Sequence, residues 1–114
     1  MDVVRIEEAL PYDAPRHFGI STLRLQGADA SAAEGFTVGL SQVLPGGGAE
    51  RGAAPVERVY VVLDGELFVS SGSDEATLGP LDSCHIPAGE EREMANRTNR
   101  TTSLLVVMPK REEN

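Results

Sequence analysis

The sequence has no Trp, two Tyr and three Phe, so any core it builds rests mainly on small aliphatic side chains. Its one cysteine, Cys84, excludes an intramolecular disulfide and suits a reducing compartment. Basic residues are scarce: 10 Lys and Arg against 18 Asp and Glu give a formal charge of -8. Nucleic acid and anionic membrane surfaces repel such a chain, and neither is expected as a partner. Long apolar runs are missing too. The longest, Val59 to Leu63 and Leu104 to Met108, fall far short of the about 20 residues a membrane span needs. The N-terminus carries acids at positions 2, 7 and 8 and no signal-length apolar segment, so the expected location is the cytoplasm.

What the chain has in plenty is turn formers. Twelve Gly and seven Pro in 114 residues favour an all-β fold over a helix bundle, and the length predicts one domain. Residues 1–35 hold two short apolar pieces, around Val3 to Leu10 and Phe18 to Leu25, broken by Pro11 and Pro15. From Phe36 the alternation is that of a strand. Phe36, Val38, Leu40 and Leu44 share one face and Thr37, Gly39, Ser41 and Val43 the other, until Pro45-Gly46-Gly47-Gly48 is expected to end it. Val56 to Leu63 predicts the next strand, and Asp64-Gly65 is the best short hairpin signal in the chain. Further short strands are expected over 66–70, 76–78, 83–86, 93–96 and 103–108, before a frayed charged tail at 110–114. About eight short strands at regular spacing suggest a sandwich or a barrel.

Two segments narrow this further. Pro45-Gly46, then Glu57-Arg58-Val59-Tyr60-Val61-Val62-Leu63-Asp64-Gly65-Glu66-Leu67, resembles the first motif of the cupin superfamily. Leu78-Gly79-Pro80-Leu81-Asp82-Ser83-Cys84-His85-Ile86-Pro87-Ala88-Gly89, then Arg92 and Asn96, is similar to the second, with Leu81 where the family usually has Gly. The resemblance implies an RmlC-like cupin double-stranded β-helix, or jelly-roll barrel, with its core at 36–109 and N-terminal strands at 1–35. It also implies a homodimer. Most catalytic cupins hold a divalent metal through two His and a Glu in the first motif and a His in the second. Aligned by its turns, this sequence puts Arg58 at the Glu position and Arg92 at the second-motif His. The remaining two fall at Arg51 and Ala53, or at Gly52 and Ala54. A guanidinium has no lone pair to donate, so no metal and no other cofactor is expected.

Strand alternation then says what replaces the metal. Arg58 on the ligand face brings Val56, Tyr60 and Val62 inward and turns Glu57, Val59, Val61 and Leu63 outward. Arg92 inward brings Met94 and Asn96 with it. The candidate ligand-binding residues are therefore Arg51, Arg58, Tyr60, Arg92, Met94 and Asn96. Buried arginines need matching charge. Either they face a small carboxylate-type anion, or they pair internally with Glu50, Glu57, Glu90, Glu91 or Glu93. Tyr60 and His85 are the candidate acid–base groups, and alternation cannot be carried through the turn to give the face of His85. His17 reaches the barrel only if the N-terminal segment folds over its mouth. Cys84 is expected to be a buried, inert thiol.

Two functions stay open: a metal-free cupin binding a small organic anion, and a metal-independent isomerase, cyclase or lyase. A dioxygenase or decarboxylase with unusual ligands is a weaker third. The outward Val59, Val61 and Leu63 call for a covering element, expected to be a second subunit.

Overall fold

Alternation without helical periodicity leaves the chain only sheets to build, and the computed structural model, which describes residues 1–110, is made of them. Its strands are β1 (Leu10–Pro11), β2 (His17–Gln26), β3 (Phe36–Gly52), β4 (Arg58–Asp64), β5 (Leu67–Ser71), β6 (Asp74–Leu78), β7 (Ser83–Ile86), β8 (Arg92–Ala95) and β9 (Thr102–Pro109). A single 3-10 turn, Ile6–Glu8, is the only helical element among the described residues. The strand order is β6-β5-β8-β3-β9-β4-β7, with every pair antiparallel and β2 alongside β3. This is the jelly-roll barrel.

Two bent strands join its halves. β3 does not end at Pro45-Gly46-Gly47-Gly48 as expected; it turns a corner there and runs on to Gly52. Its first half pairs with β9 and its second with β8. Gly46 takes a positive φ of 81°, and Gly46 and Gly47 exchange backbone hydrogen bonds with Asn96, so the chain bends without losing its partners. β2 bends beside it, with a register shift between Phe18 and Ile20. Asp64-Gly65 also differs from expectation. β4 and β5 do not pair, and the turn carries the chain from one sheet to the other. The tight hairpin is Gly72-Ser73, which joins β5 to β6 with Ser71 opposite Asp74.

The apolar core fills one end of the barrel. Val43, Val62, Leu67, Leu78 and Leu104 are buried there, and Val69, Ile86 and Met94 carry the core on toward the level of Arg58. The outer face of the sheet formed by β2, β3, β9 and β4 is apolar as well. Leu23, Leu40, Leu105 and Val61 stand in one cross-strand row, and Val38, Val107 and Val59 in the next. So the apolar half of the β3 alternation, including the half-exposed Phe36 and Leu44, faces outward, while Thr37 and Ser41 line the interior. Among the described residues no helix is long and apolar enough to cross a membrane. Of the tail expected at 110–114, residues 111–114 lie outside the described residues.

Candidate functional site

The end of the barrel opposite the apolar core is open, and its cavity measures about 1510 Å³. Cross-strand rows build its wall. Arg24, Gly39, Val106, Tyr60 and Cys84 occupy successive strands in one row of the larger sheet. On the other sheet His17, Ala49, Met94 and Val69 form a second row. Arg58 stands two residues from Tyr60, and Arg92 two from Met94, so both reach the same interior. The segment from Tyr12 to His17 completes the mouth. Pro15 within it and Pro11 just before it keep it out of a helix. Its place is fixed by Tyr12 N–H donating to Thr22 O, by the Thr22 hydroxyl donating to Tyr12 O, and by pairing of His17 with Ala49.

The arginines here are deeply buried. Arg58 is 4% exposed and Arg92 7%. Arg58 Nε and Nη2 and Arg92 Nε have no hydrogen-bond partner, and Arg92 Nη1 has only a long contact of 3.4 Å to the Glu50 carbonyl. Ion pairs among the described residues lie elsewhere, at Arg51–Glu91 and Arg100–Asp64, and Glu57 is taken by a hydrogen bond with His85. The carboxylates that could have neutralised Arg58 and Arg92 from within are thus not on them. Burial lowers the pKa of Arg58, and the neighbouring Arg92 charge adds to the effect. Among the described residues each cation is desolvated without a counter-charge, which costs several kcal/mol in an interior of this kind.

The uncharged groups around them are donors and one acceptor. Burial raises the pKa of Tyr60 against the pull of Arg92 and Arg58, so its phenol stays protonated and can donate. His17 is lowered, first by burial and then by the charges of Arg92 and Arg58, with the Pro15 carbonyl opposing. That carbonyl accepts from His17 Nδ1 at 2.7 Å, which leaves Nε2 with the lone pair in the neutral ring. Tyr12 lies under the Arg24 guanidinium, 3.9 Å from its ring centroid. Gly39 makes room for it, since a Cβ there would overlap the Tyr12 hydroxyl. Burial also raises the Cys84 thiol, which keeps it protonated and unreactive.

Of the residues singled out from sequence, Arg58, Tyr60, Arg92 and Met94 come together on this wall. Three do not. Arg51 lies outside, held by Glu91 at 3.0 Å and by Ser70 and Gly72. Asn96 is buried away from the cavity and fully used: Nδ2 donates to Val43 O and Arg100 O, while Oδ1 accepts from Thr98 N and Oγ1. His85 stands opposite the outward Val59 and meets Glu57 at 2.7 Å on the exposed surface. It cannot serve as the acid or base of this cavity. Tyr12 and Arg24 were not among the residues singled out. The signal for Arg24 was there: Thr22 and Arg24 are the polar members of an alternation whose other members are Leu23 and Leu25.

The donor set does not fit a divalent metal. Arg58 and Arg92 stand at two positions where the sequence resemblance implies metal ligands, a guanidinium has no lone pair to donate, and no cluster of three or more His, Cys, Asp or Glu among the described residues could hold one.

Comparison with known proteins agrees with this fold. The family model for the cupin domain matches residues 39–108. A protein of Mycobacterium tuberculosis named beta-D-galactosidase Rv1717 is 49% identical over 108 residues, covering 95% of this chain and 93% of its own. Two solved structures share the barrel. The polyketide cyclase RemF of Streptomyces resistomycificus superposes with a TM-score of 0.83 at 21% identity, over 96% of this chain and 79% of that one. A cupin-superfamily sugar phosphate isomerase of Silicibacter pomeroyi does so with a TM-score of 0.71 at 28% identity, over 82% and 60%.

Proposed function

The chain belongs to the cupin family, and from that premise we propose that its barrel binds a small organic anion, held through a carboxylate-type group by Arg58 and Arg92. The observation that carries this reading is the set of buried guanidinium N–H groups with no partner. Arg forks match carboxylate oxygens two at a time, and an anion between them would offset the desolvation of both. The Tyr60 phenol adds a third donor, and Val106, Met94 and Met108 give the apolar remainder of the ligand a surface.

A second reading, a metal-independent isomerase, cyclase or lyase, rests on the free Nε2 of His17 beside the arginines. A proton would pass from the carbon next to the bound carboxylate to His17 Nε2. Arg58 and Arg92 would stabilise the negative charge left behind, and Tyr60 would return a proton. The name of the mycobacterial relative adds galactosides to the substrates worth testing. Glycoside hydrolysis normally uses two flanking carboxyl groups, and the cavity's Asp13, Glu34 and Glu50 are all exposed ones.

Melting curves of the purified protein with small carboxylates test the first reading. A ligand at 100 times its Kd stabilises by about 2.7 kcal/mol, a clear rise in Tm. A panel of carboxylates that leaves the Tm unchanged sinks it. Proton NMR in D2O tests the second: exchange of the carbon-bound proton beside a bound carboxylate should stop in His17→Gln.

A further inference from the structure

We infer that Arg24 forms a second anionic subsite, so that the ligand carries two acid groups and the barrel selects a dicarboxylate over a monocarboxylate. The inference rests on the Arg58–Arg92 reading and extends it. Three observations carry it. Arg24 lies in the same inward row as Tyr60 and lines the same cavity. Its Nε is buried with no hydrogen-bond partner, and no carboxylate pairs with it among the described residues. Tyr12 takes only the flat face of the guanidinium, which leaves the N–H edge unengaged by the ring.

Arg24 is also a pole apart from the other two. It stands on β2, whereas Arg58 and Tyr60 stand on β4, with β3 and β9 between. Three inter-strand steps make about 14 Å of curved sheet at the backbone. Arg92 bears electrostatically on Arg58, Tyr60 and His17, whereas Arg24 acts on Tyr12 and on none of those three, so Arg24 stands as a pole of its own. On β3, between the two strands, stand the hydroxyl-bearing Thr37 and Ser41, with Tyr12 beside Arg24 and Tyr60 beside Arg58. In all, the wall carries Arg16, Arg24, Arg58, Arg92 and Lys110 against Asp13, Glu34 and Glu50, a cationic balance inside a chain of net charge -8.

Titration calorimetry tests this, with malonate, succinate, glutarate, adipate and pimelate set against the monocarboxylates of matching length. Wild type should prefer one dicarboxylate by about tenfold to a hundredfold, the value of a charge-assisted hydrogen-bonded pair. Arg24→Met should erase that preference and keep monocarboxylate affinity, which also shows that the variant is folded. Arg24→Lys, which keeps the charge and loses the fork, should retain part of it. Arg58→Met should lose both classes of ligand. A dicarboxylate preference that survives in Arg24→Met, or that is missing from a wild type that binds monocarboxylates, overturns the second subsite and leaves the first. A wild type that binds no carboxylate overturns both.

Discussion

The two ends of this barrel handle buried polar groups in opposite ways. At the closed end Asn96 is 1% exposed and every polar atom of its side chain is engaged. Thr102, fully buried, donates to the Glu66 carbonyl at 2.6 Å. At the open end Arg58 and Arg92 are nearly as buried, yet three of their nitrogens face no acceptor. Buried polar groups are normally paired, and each exception calls for a reason. The closed end meets its own needs and so contributes to folding. The open end leaves these groups unmatched among the described residues, and in the proposed reading an anion from solution completes it.

Opposite signs on mutation follow from this contrast. The largest effect is expected at the closed end. Asn96→Ala takes a donor from the Val43 carbonyl, leaves the Arg100 carbonyl with the Thr98 hydroxyl, and frees the 96–100 loop, a loss of about 3 kcal/mol in urea unfolding. Arg58→Met should do the reverse. With an unmatched charge removed and apolar volume kept, the free protein should gain about 1–3 kcal/mol, while its Tm response to carboxylates disappears. A destabilised Arg58→Met would mean that the cation is matched from within, and the contrast between the ends would collapse.

A third variant concerns the outside of the same sheet. The row Leu23, Leu40, Leu105 and Val61 is the surface on which we expect a second copy to sit across a two-fold axis. Leu105→Asp should convert a dimer to a monomer in light scattering and leave carboxylate binding intact. Wild type already monomeric at high micromolar concentration would remove the dimer. The smallest effect is a pH slope. His17 lies below its ordinary 6.5 in the fold, so the unfolded chain takes up its proton first as the pH drops. Its burial therefore costs nothing well above 6.5. The cost grows from there down to the folded value and is constant below it. His17→Gln should flatten that part of the stability curve, measured against wild type between mildly basic and mildly acidic pH.

Much of the fold was legible in the sequence because strands carry their own parity. Once Asp64-Gly65 fixed the end of β4, Arg58, Tyr60 and Val62 had to share a face, and they do. Parity does not survive a turn, so His85 had no assignable side until β7 was seen pairing with β4. Asn96 follows the same limit, for β8 ends at Ala95 and the chain turns into a loop whose amide hydrogen bonds claim the side chain. Arg51 lies within a register irregularity of β3, between Ala49 and Gly52, which breaks the count along that strand. The apolar outer face hid the rest. In β2 and β3 leucines and valines mark the outside of the barrel, so a search for the core along these strands points away from the cavity.

The mouth of the cavity has a mechanical consequence. Its wall brings Tyr12 to His17, from near the start of the chain, against Met108 to Lys110, near its end. A molecule lodged between them touches residues almost 100 positions apart, as roughly the longest loop this chain can close. Occupancy then acts as a removable clasp on both ends at once. The first segment to gain protection from protease or hydrogen exchange on filling the barrel should be the N-terminal stretch through His17, although the arginines proposed to hold the ligand sit far along the chain on β4 and β8.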